Sequence, residues 1–310
     1  FFLRNSYRAL SKWEFDAGIR FSYFDELEKL SFEPRFAIIC KIMEDLSANL
    51  SYGVHNQFVH RLEKNNNSNF SKNNWFLSSE RIPIILSENI QLGFSWDKKD
   101  ISSSASLYIK KLDDFFQPKN SFSFQDYFFL NNNFINPGQG KIKGLEVQFR
   151  KAYGVITGWI SYHKSSTKYI IADFNKNKQF SADHEKNHEI KTVLLGRVFN
   201  TNISASWVFS SGRPFTDIED LYVESGSGYE IFTKQKYNNQ RIPSSHHLDI
   251  SFSKTLKLLN FGVDLGFSIY NIYNKNNVAH KRYNPFVENL SIKDVSMFGI
   301  TPSIFTKIVF

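Results

Sequence analysis

Hydrophobic and polar residues alternate along many short segments of the chain. In the segment 261–270, the apolar positions are Phe261, Val263, Leu265, Phe267 and Ile269, and glycine, polar or acidic residues and Tyr270 occupy the positions between. Because successive side chains of a β-strand point to opposite faces, such a segment has one apolar face and one polar face. Comparable segments recur from the start of the chain to its end, so the pattern predicts an all-β protein.

The alternation predicts thirteen strands. Their bounds are 1–8, 13–24, 32–43, 46–54, 90–96, 101–110, 143–151, 155–164, 188–198, 203–209, 247–255, 261–270 and 300–310. The short connections are 9–12, 44–45, 97–100, 152–154, 199–202 and 256–260. The mostly long, polar connections are 25–31, 55–89, 111–142, 165–187, 210–246 and 271–299. Short and long connections alternate without exception, which is typical of a transmembrane antiparallel up-and-down β-barrel.

This alternation also predicts an orientation in a bacterial outer membrane. Short turns of such barrels lie on the periplasmic side and long loops lie outside. The last strand follows a long connection, so we expect the C-terminus at the periplasmic side. The first strand also descends, whereas bacterial single-chain barrels have an even number of strands. We therefore expect residues 1–310 to be the C-terminal portion of a larger barrel, with the N-terminal strands absent.

Composition narrows the classes of function. Aromatic residues reach 16% of the chain, which fits the aromatic girdles of a membrane barrel, and no apolar run approaches the ~18 residues of a spanning helix. The net charge of +8 comes from scattered lysines and arginines without a basic helix or stripe, so we expect no nucleic-acid partner. The single cysteine, Cys40, excludes an internal disulfide.

Five short motifs, in order along the chain, carry a family resemblance. They are Glu33-Pro34-Arg35, Gly144-Leu145-Glu146-Val147 with Thr157-Gly158-Trp159-Ile160-Ser161-Tyr162, Ser211-Gly212-Arg213-Pro214-Phe215-Thr216, His247-Leu248-Asp249-Ile250 and Tyr270-Asn271-Ile272-Tyr273-Asn274. Together they resemble the C-terminal barrel half of TonB-dependent outer-membrane receptors, especially those of the Bacteroidota type. The resemblance implies a whole barrel of about 22 strands.

The resemblance implies a receptor and transporter that takes up a nutrient ligand of the siderophore, glycan, peptide or cobalamin class. It further implies an upstream plug domain and the TonB complex as partners, and membrane lipid and a surface lipoprotein are further expected partners. We expect neither enzymatic activity nor a cofactor. The alternative is a passive porin-like or structural outer-membrane barrel without TonB coupling.

Two stretches have the residue types of catalytic or metal sites. His184 to His188 spells H-E-x-x-H, which binds zinc on a helix, where both histidines share one face. Here the motif leads into an alternating strand, in which the histidines would lie ~13 Å apart, so we expect no metal site. Ser245, His246, His247 and Asp249 lack a nucleophile elbow, and we expect a loop that enters a strand.

Two groups of residues are candidates for contact with a ligand or with the barrel interior. Aromatic residues in the long connections can stack on a ligand, pack the loops together or form the outer girdle; the candidates for ligand contact are Trp75, Phe122, Phe124, Tyr127, Tyr222 and Tyr229. Polar positions of the alternating strands are expected to face the lumen; these are Glu146, Gln148, Arg150, Asp249 and Asp264.

Overall fold

The structure is a computed structural model that describes residues 1–64, 72–118, 135–217, 237–258, 261–284 and 291–309. The strands are β1 (Phe2–Ala9), β2 (Trp13–Phe24), β3 (Lys29–Lys41), β4 (Leu46–Gln57), β5 (Val59–Lys64), β6 (Lys72–Leu77), β7 (Ile85–Lys98), β8 (Ile101–Pro118), β9 (Ile135–Lys151), β10 (Ile156–Ile171), β11 (Phe180–Ser181), β12 (His188–Val198), β13 (Thr201–Ser210), β14 (Pro214–Phe215), β15 (Gln240–Arg241), β16 (Ser245–Leu258), β17 (Phe261–Tyr270), β18 (Val278–Asn284), β19 (Ser291–Ser296) and β20 (Thr301–Val309). Two single 3-10 turns cover Asp25–Leu27 and Asn175–Asn177.

Thirteen strands form one continuous antiparallel wall. Their order is β1, β2, β3, β4, β7, β8, β9, β10, β12, β13, β16, β17 and β20, so each pairs with the next wall strand along the chain. The prediction of thirteen up-and-down strands is confirmed. The remaining strands lie in the long connections, where β5–β6, β14–β15 and β18–β19 form hairpins and β11 pairs with β10.

Strand register gives the wall one apolar face and one polar face. Leu50, Leu92, Leu107 and Leu145 follow one another across four strands, and the first three are exposed. The neighbouring row on the opposite face is polar or small: Ser51, Gln91, Tyr108 and Gly144. Exposed leucines in a row would be costly in water, and they suit a face that meets hydrocarbon.

The last hairpin of the wall keeps the same arrangement. Leu265 and Phe267 are exposed on the apolar face, whereas Val263 is buried; its register neighbours on this face are Leu256 and Ile308. The apolar residues of this hairpin therefore share one face of the wall, as the alternation predicted.

Several strand ends were predicted wrongly. β7 begins at Ile85, β8 continues to Pro118, β9 begins at Ile135 and β10 continues to Ile171. These extensions keep their antiparallel pairing, with a bulge between Leu112 and Phe115. Alternation weakens there because side chains of the extensions, such as Phe115, Phe116 and Tyr169, pack against loop residues. The backbone hydrogen bonds still hold the strands together.

One connection also departs from the predicted alternation of short and long. Only residues 25–28 join β2 to β3, so this connection is as short as those at the opposite end of the wall. It is a 3-10 turn that ends with Glu28 in the left-handed region, at φ 46°. At the opposite end, β12 and β13 are joined by Phe199 and Asn200 alone, both with positive φ, as a two-residue hairpin of type I′ requires.

Most of the buried apolar side chains lie in two clusters at the end of the wall where the long connections lie. Ile82, Ile85 and Phe116 form one cluster, and Ile171, Phe174 and Phe180 form the other. Phe115 contacts both, so the strand extensions and loops pack into small cores of their own. Among the described residues, no helix combines the length and apolar character that a membrane span needs.

Candidate functional site

The polar face of β9 carries the first group of predicted lumen residues. Glu146, Gln148 and Arg150 alternate with Leu145, Val147 and Phe149, so the two sets occupy opposite faces. Their partners on β8 are Ser106, Ser104 and Ser102, which extend the polar surface. The structure thus places the three residues on one polar face. That this face lines an aqueous lumen stays a prediction.

Glu146 belongs to a group of three polar side chains from neighbouring strands. The hydroxyl of Tyr108 lies 2.8 Å from His163 Nε2, and the same ring nitrogen lies 3.6 Å from Glu146 Oε1. The ring of Tyr108 occupies the space beside Gly144, where an added Cβ would come within 2.3 Å of it. Gly144 therefore makes room for a Tyr–His–Glu group that can donate and accept hydrogen bonds.

The two predicted aspartates lie on β16 and β17, several strands away from β9. Asp249 accepts a hydrogen bond from the Asn271 backbone N–H at 2.9 Å and lies 3.5 Å from His247 Nε2. Asp264 accepts one from the Thr255 hydroxyl at 2.6 Å and is opposite Lys307 in register. Both carboxylates are thus part of local networks on the polar face, and they do not form one site with Glu146.

A basic pocket on β1–β4 was missed by the sequence analysis. Arg4, Arg20, Arg35 and His55 help to line a cavity of about 790 Å³ on the polar face. The buried carboxylate of Glu33 lies 3.9 Å from Arg20 and 3.7 Å from Arg35, and it accepts a hydrogen bond from the Asn56 backbone N–H.

Both distances from Glu33 exceed those of a hydrogen bond, so the two guanidinium groups keep donors for an anionic group. Glu33 and Arg35 were recognised only as parts of a motif. The signal that could have found the pocket was the placement of three arginines on polar-face positions of neighbouring strands.

The candidate ligand-contacting aromatic residues are only partly described. Trp75 lies on β6 opposite Arg61, and 68% of its surface is exposed, so it is available for stacking. The other candidates, Phe122, Phe124, Tyr127, Tyr222 and Tyr229, lie outside the described residues.

Other loop aromatics pack against each other. The Tyr237 ring lies 5.4 Å from that of Phe174 and 5.0 Å from that of Phe180, and its hydroxyl accepts a hydrogen bond from Gln117 at 3.2 Å. Burial, aided by the negative charge of Asp183, raises the pKa of Tyr237 to about 12. The Phe115 and Tyr169 rings stack at 4.4 Å. These residues hold the long connections together, which was one of the roles left open by the sequence.

The glutamate of the H-E-x-x-H stretch is a buried structural anchor. Glu185 accepts hydrogen bonds from the Thr167 backbone N–H at 2.9 Å and from Arg241, and it lies 3.4 Å from Lys168 Nζ. Burial by itself raises the pKa of Glu185, but hydrogen bonds from Ser181, Thr167 and Arg241 and the charge of Lys168 outweigh it and lower the pKa. The stretch is not helical, and its glutamate serves ion pairs between loops.

The Ser-His-His-Asp stretch is likewise divided between the two faces of the wall. His246 Nδ1 lies 2.7 Å from the Tyr273 hydroxyl, whereas the His247 ring lies beside Tyr270 and Asp249. Ser245 and Ser210 are paired where β16 begins. The histidines thus join strand ends to the following loops, as expected for a loop that enters a strand.

Comparison with known proteins decides the family. The sequence profile described as "TonB dependent receptor-like, beta-barrel" matches residues 1–274. The chain belongs to this family. The family comprises the barrels of receptors and is not a family of enzymes. No functionally curated protein is similar to the chain in sequence.

Solved structures of receptors share the fold. A mutant of the ferric enterobactin receptor PfeA from Pseudomonas aeruginosa has a TM-score of 0.65 at 10% identity, covering 99% of this chain and 44% of that one. The ferric yersiniabactin uptake receptor FyuA from Yersinia pestis has a TM-score of 0.64 at 10% identity, with 98% and 44% coverage. The FrpB iron transporter from Neisseria meningitidis has a TM-score of 0.62 at 12% identity, with 99% and 44% coverage. The chain spans about two fifths of the length of these receptors.

Proposed function

We propose that residues 1–310 form the C-terminal part of the barrel wall of an outer-membrane receptor, which takes up a nutrient ligand with energy delivered through TonB. The observation that carries the proposal is the family match over residues 1–274 on a wall whose thirteen strands have one exposed apolar face. In this proposal an upstream plug closes the barrel, and the chain contributes the wall, the lumen surface and the outer loops. It catalyses no covalent chemistry.

We rank the classes of ligand in the order in which they should be tested. The solved structures that share the fold are named as receptors or transporters of iron or of ferric siderophores, so ferric siderophores come first. Oligosaccharides, peptides and cobalamin follow, because the sequence motifs do not separate these classes. Arg20 and Arg35 of the basic pocket favour ligands that carry negative charge, because neither lies within hydrogen-bond distance of Glu33, whereas Arg4 is paired with Asp16 at 3.0 Å.

Uptake by cells tests the proposal. The full-length gene is restored to a deletion strain, and accumulation of each labelled ligand is measured with and without TonB. We expect accumulation of one ligand class that depends on both the gene and TonB. Entry of small solutes at the same rate without TonB would instead identify a passive channel.

Labelling of single cysteines tests the proposed orientation. Cysteine replaces Trp75 or Tyr153 in a Cys40→Ser background, because both side chains are exposed and lie at opposite ends of the wall. A membrane-impermeant maleimide added to intact cells should label position 75 and should reach position 153 only after lysis. Labelling of position 153 alone in intact cells would reverse the orientation.

Binding measurements test the contact residues. Trp75→Ala is expected to weaken ligand binding by about fivefold or more, because stacking of a planar group on an aromatic side chain contributes about 1–3 kcal/mol. Tyr153→Ala is the matched control, since it removes an exposed aromatic from the other end of the wall. Equal affinities of the two variants would show that Trp75 does not contribute to ligand binding.

A further inference from the structure

A group of lysines occupies the apolar face of the wall where β8, β9 and β10 leave the apolar band. We name it the lysine patch, and it consists of Lys111, Lys141, Lys143 and Lys164. Register places Lys111 beside Lys141, and Lys143 beside Ile109. Lys164 lies beside Leu145. All four lysines therefore share a face with the leucine row, and all four are exposed.

The patch lies at the height where the apolar band ends. Its members are eight to ten residues from the short-turn ends of their strands, at Ile101, Lys151 and Ile156. Strands that rise ~3.3 Å per residue and tilt by ~40° reach heights of about 20–25 Å over that length. The apolar band of an outer-membrane barrel is ~25 Å tall, so the four lysines lie near its edge. Their flexible side chains can extend the ammonium groups beyond this edge into water.

Among the residues that the structure describes, no ion pair is formed by the lysines of the patch. Within the part of the chain that the structure describes, none of the four lysines has a carboxylate oxygen within 4.0 Å. Glu88 borders the patch and is opposite Lys111 in register. Lys168, the next lysine on this face, lies against Glu185 and Ser181 and is therefore satisfied within the loops.

The patch is local to these three strands. On β2 and β3, the positions at a comparable distance from the short turn are Tyr23 and Leu30, which are exposed and uncharged. Next to the patch, the Tyr162 hydroxyl lies 2.9 Å from His188 Nδ1, and His188 is opposite Lys164 in register. A Tyr–His pair below a group of lysines has the amphipathic character of a membrane interface.

We propose that the lysine patch binds the phosphate groups of a phosphorylated lipid in the outer leaflet. The inference rests on the proposed function for the location of the wall in an outer membrane. Charge complementarity favours an anionic headgroup, and the leucines below the patch provide the surface for the acyl chains of the same molecule. A soluble anion would use only the lysines, whereas a lipid uses both surfaces.

Lipid retention by the purified full-length receptor tests the proposal. The variant carries Lys111→Gln, Lys141→Gln, Lys143→Gln and Lys164→Gln, and phosphorylated lipid that copurifies in a neutral detergent is quantified by mass spectrometry. We expect the variant to retain at least about tenfold less phosphorylated lipid than the unchanged receptor. Equal retention overturns the proposal.

Three controls test separately whether binding depends on the positive charge of the side chains, on the face of the wall and on the lipid rather than a soluble anion. The four lysines changed to arginine should retain the lipid, and a loss equal to that of the glutamine variant overturns the charge argument. Lys110→Gln, on the same strand but on the polar face, should retain it as well. Millimolar inorganic phosphate should not displace the lipid, and displacement would identify a soluble-anion site.

The test separates this proposal from the proposed function. Receptor that retains no phosphorylated lipid but still gives TonB-dependent uptake refutes the lysine patch alone. Absence of the full-length protein from the outer-membrane fraction refutes the proposed function, and with it the lysine-patch proposal. A shift in gel mobility on heating checks that each variant has folded, so that a loss of lipid is not a loss of the barrel.

Discussion

At Glu185, one carboxylate joins three segments that are far apart in the sequence. It contacts Thr167 and Lys168 in the extension of β10 and Arg241 in β15, and Arg241 in turn donates to the Gly212 carbonyl at 2.9 Å. A buried carboxylate is tolerated only when it is paired in this way. The chemistry of the residue was visible in the sequence, but its partners were not.

Glu185 should make the long connections sensitive to acid. Its pKa is lower in the folded protein than the ordinary value of 4.5, so its contribution to stability is present above that value and is lost as the pH falls through the folded pKa. We expect limited proteolysis of the loops of the receptor in detergent to accelerate as the pH falls below about 4.5. Glu185→Gln should show fast cleavage already at pH 7 with little further change on acidification. Parallel pH profiles of the two proteins would contradict this role.

Gly158 should be irreplaceable for a local steric reason. Its φ is 150°, and an added Cβ would lie 2.0 Å from the carbonyl oxygen of Val193 on β12. We expect Gly158→Ala to lower the free energy of unfolding in lipid vesicles by about 1–3 kcal/mol, measured by urea titration. Gly196→Ala is the matched control, because its Cβ would have only an ordinary contact of 3.6 Å with Val155. Equal losses from both substitutions would show that the close approach is unimportant.

At the scale of the element, strand alternation was the most informative feature of the sequence. It predicted every wall strand, because one face must be apolar over the height of the membrane and the other must not. It failed above the membrane, where β8 continues through Phe115 and Phe116 and where β10 continues through Tyr169. There the side chains pack against loops, and loop packing leaves no period-2 pattern.

A pair of adjacent substitutions on β8 tests the two faces of the wall. Leu107 is exposed on the apolar face, six residues from the start of its strand and thus near the middle of the band. Leu107→Lys should lower the free energy of unfolding in lipid by about 2–4 kcal/mol. Ser106→Lys, on the polar face opposite Glu146, should be nearly neutral. The measurement is urea titration in vesicles, and an equal cost at both positions would refute the assignment of faces.

At the scale of the whole molecule, the described strands form an open sheet. β1 pairs with β2, and β20 pairs with β17, and neither has a second partner among the described strands. A free strand edge in hydrocarbon leaves backbone groups unpaired at several kcal/mol each, and in water it invites association between chains.

The 310 residues expressed alone should therefore aggregate. We expect them to be recovered in inclusion bodies and, after refolding in detergent, to give oligomers by size-exclusion chromatography with light scattering. The full-length receptor, treated in the same way, should give a monomer that shifts on a gel after heating. A monomeric, heat-modifiable form of the 310 residues would contradict the argument from unpaired edges.

By itself, the sequence determined the number of wall strands, their antiparallel up-and-down order, the apolar face and the family, because all of these follow from local alternation and short motifs. Only the tertiary structure decided which side chains meet. The basic pocket joins β1 to β4, the lysine patch joins β8 to β10, and Glu185 joins loops separated by more than fifty residues. Such groups depend on strand register and on how far strands continue beyond the membrane. Hydrogen bonds between distant segments set both, and no local pattern records them.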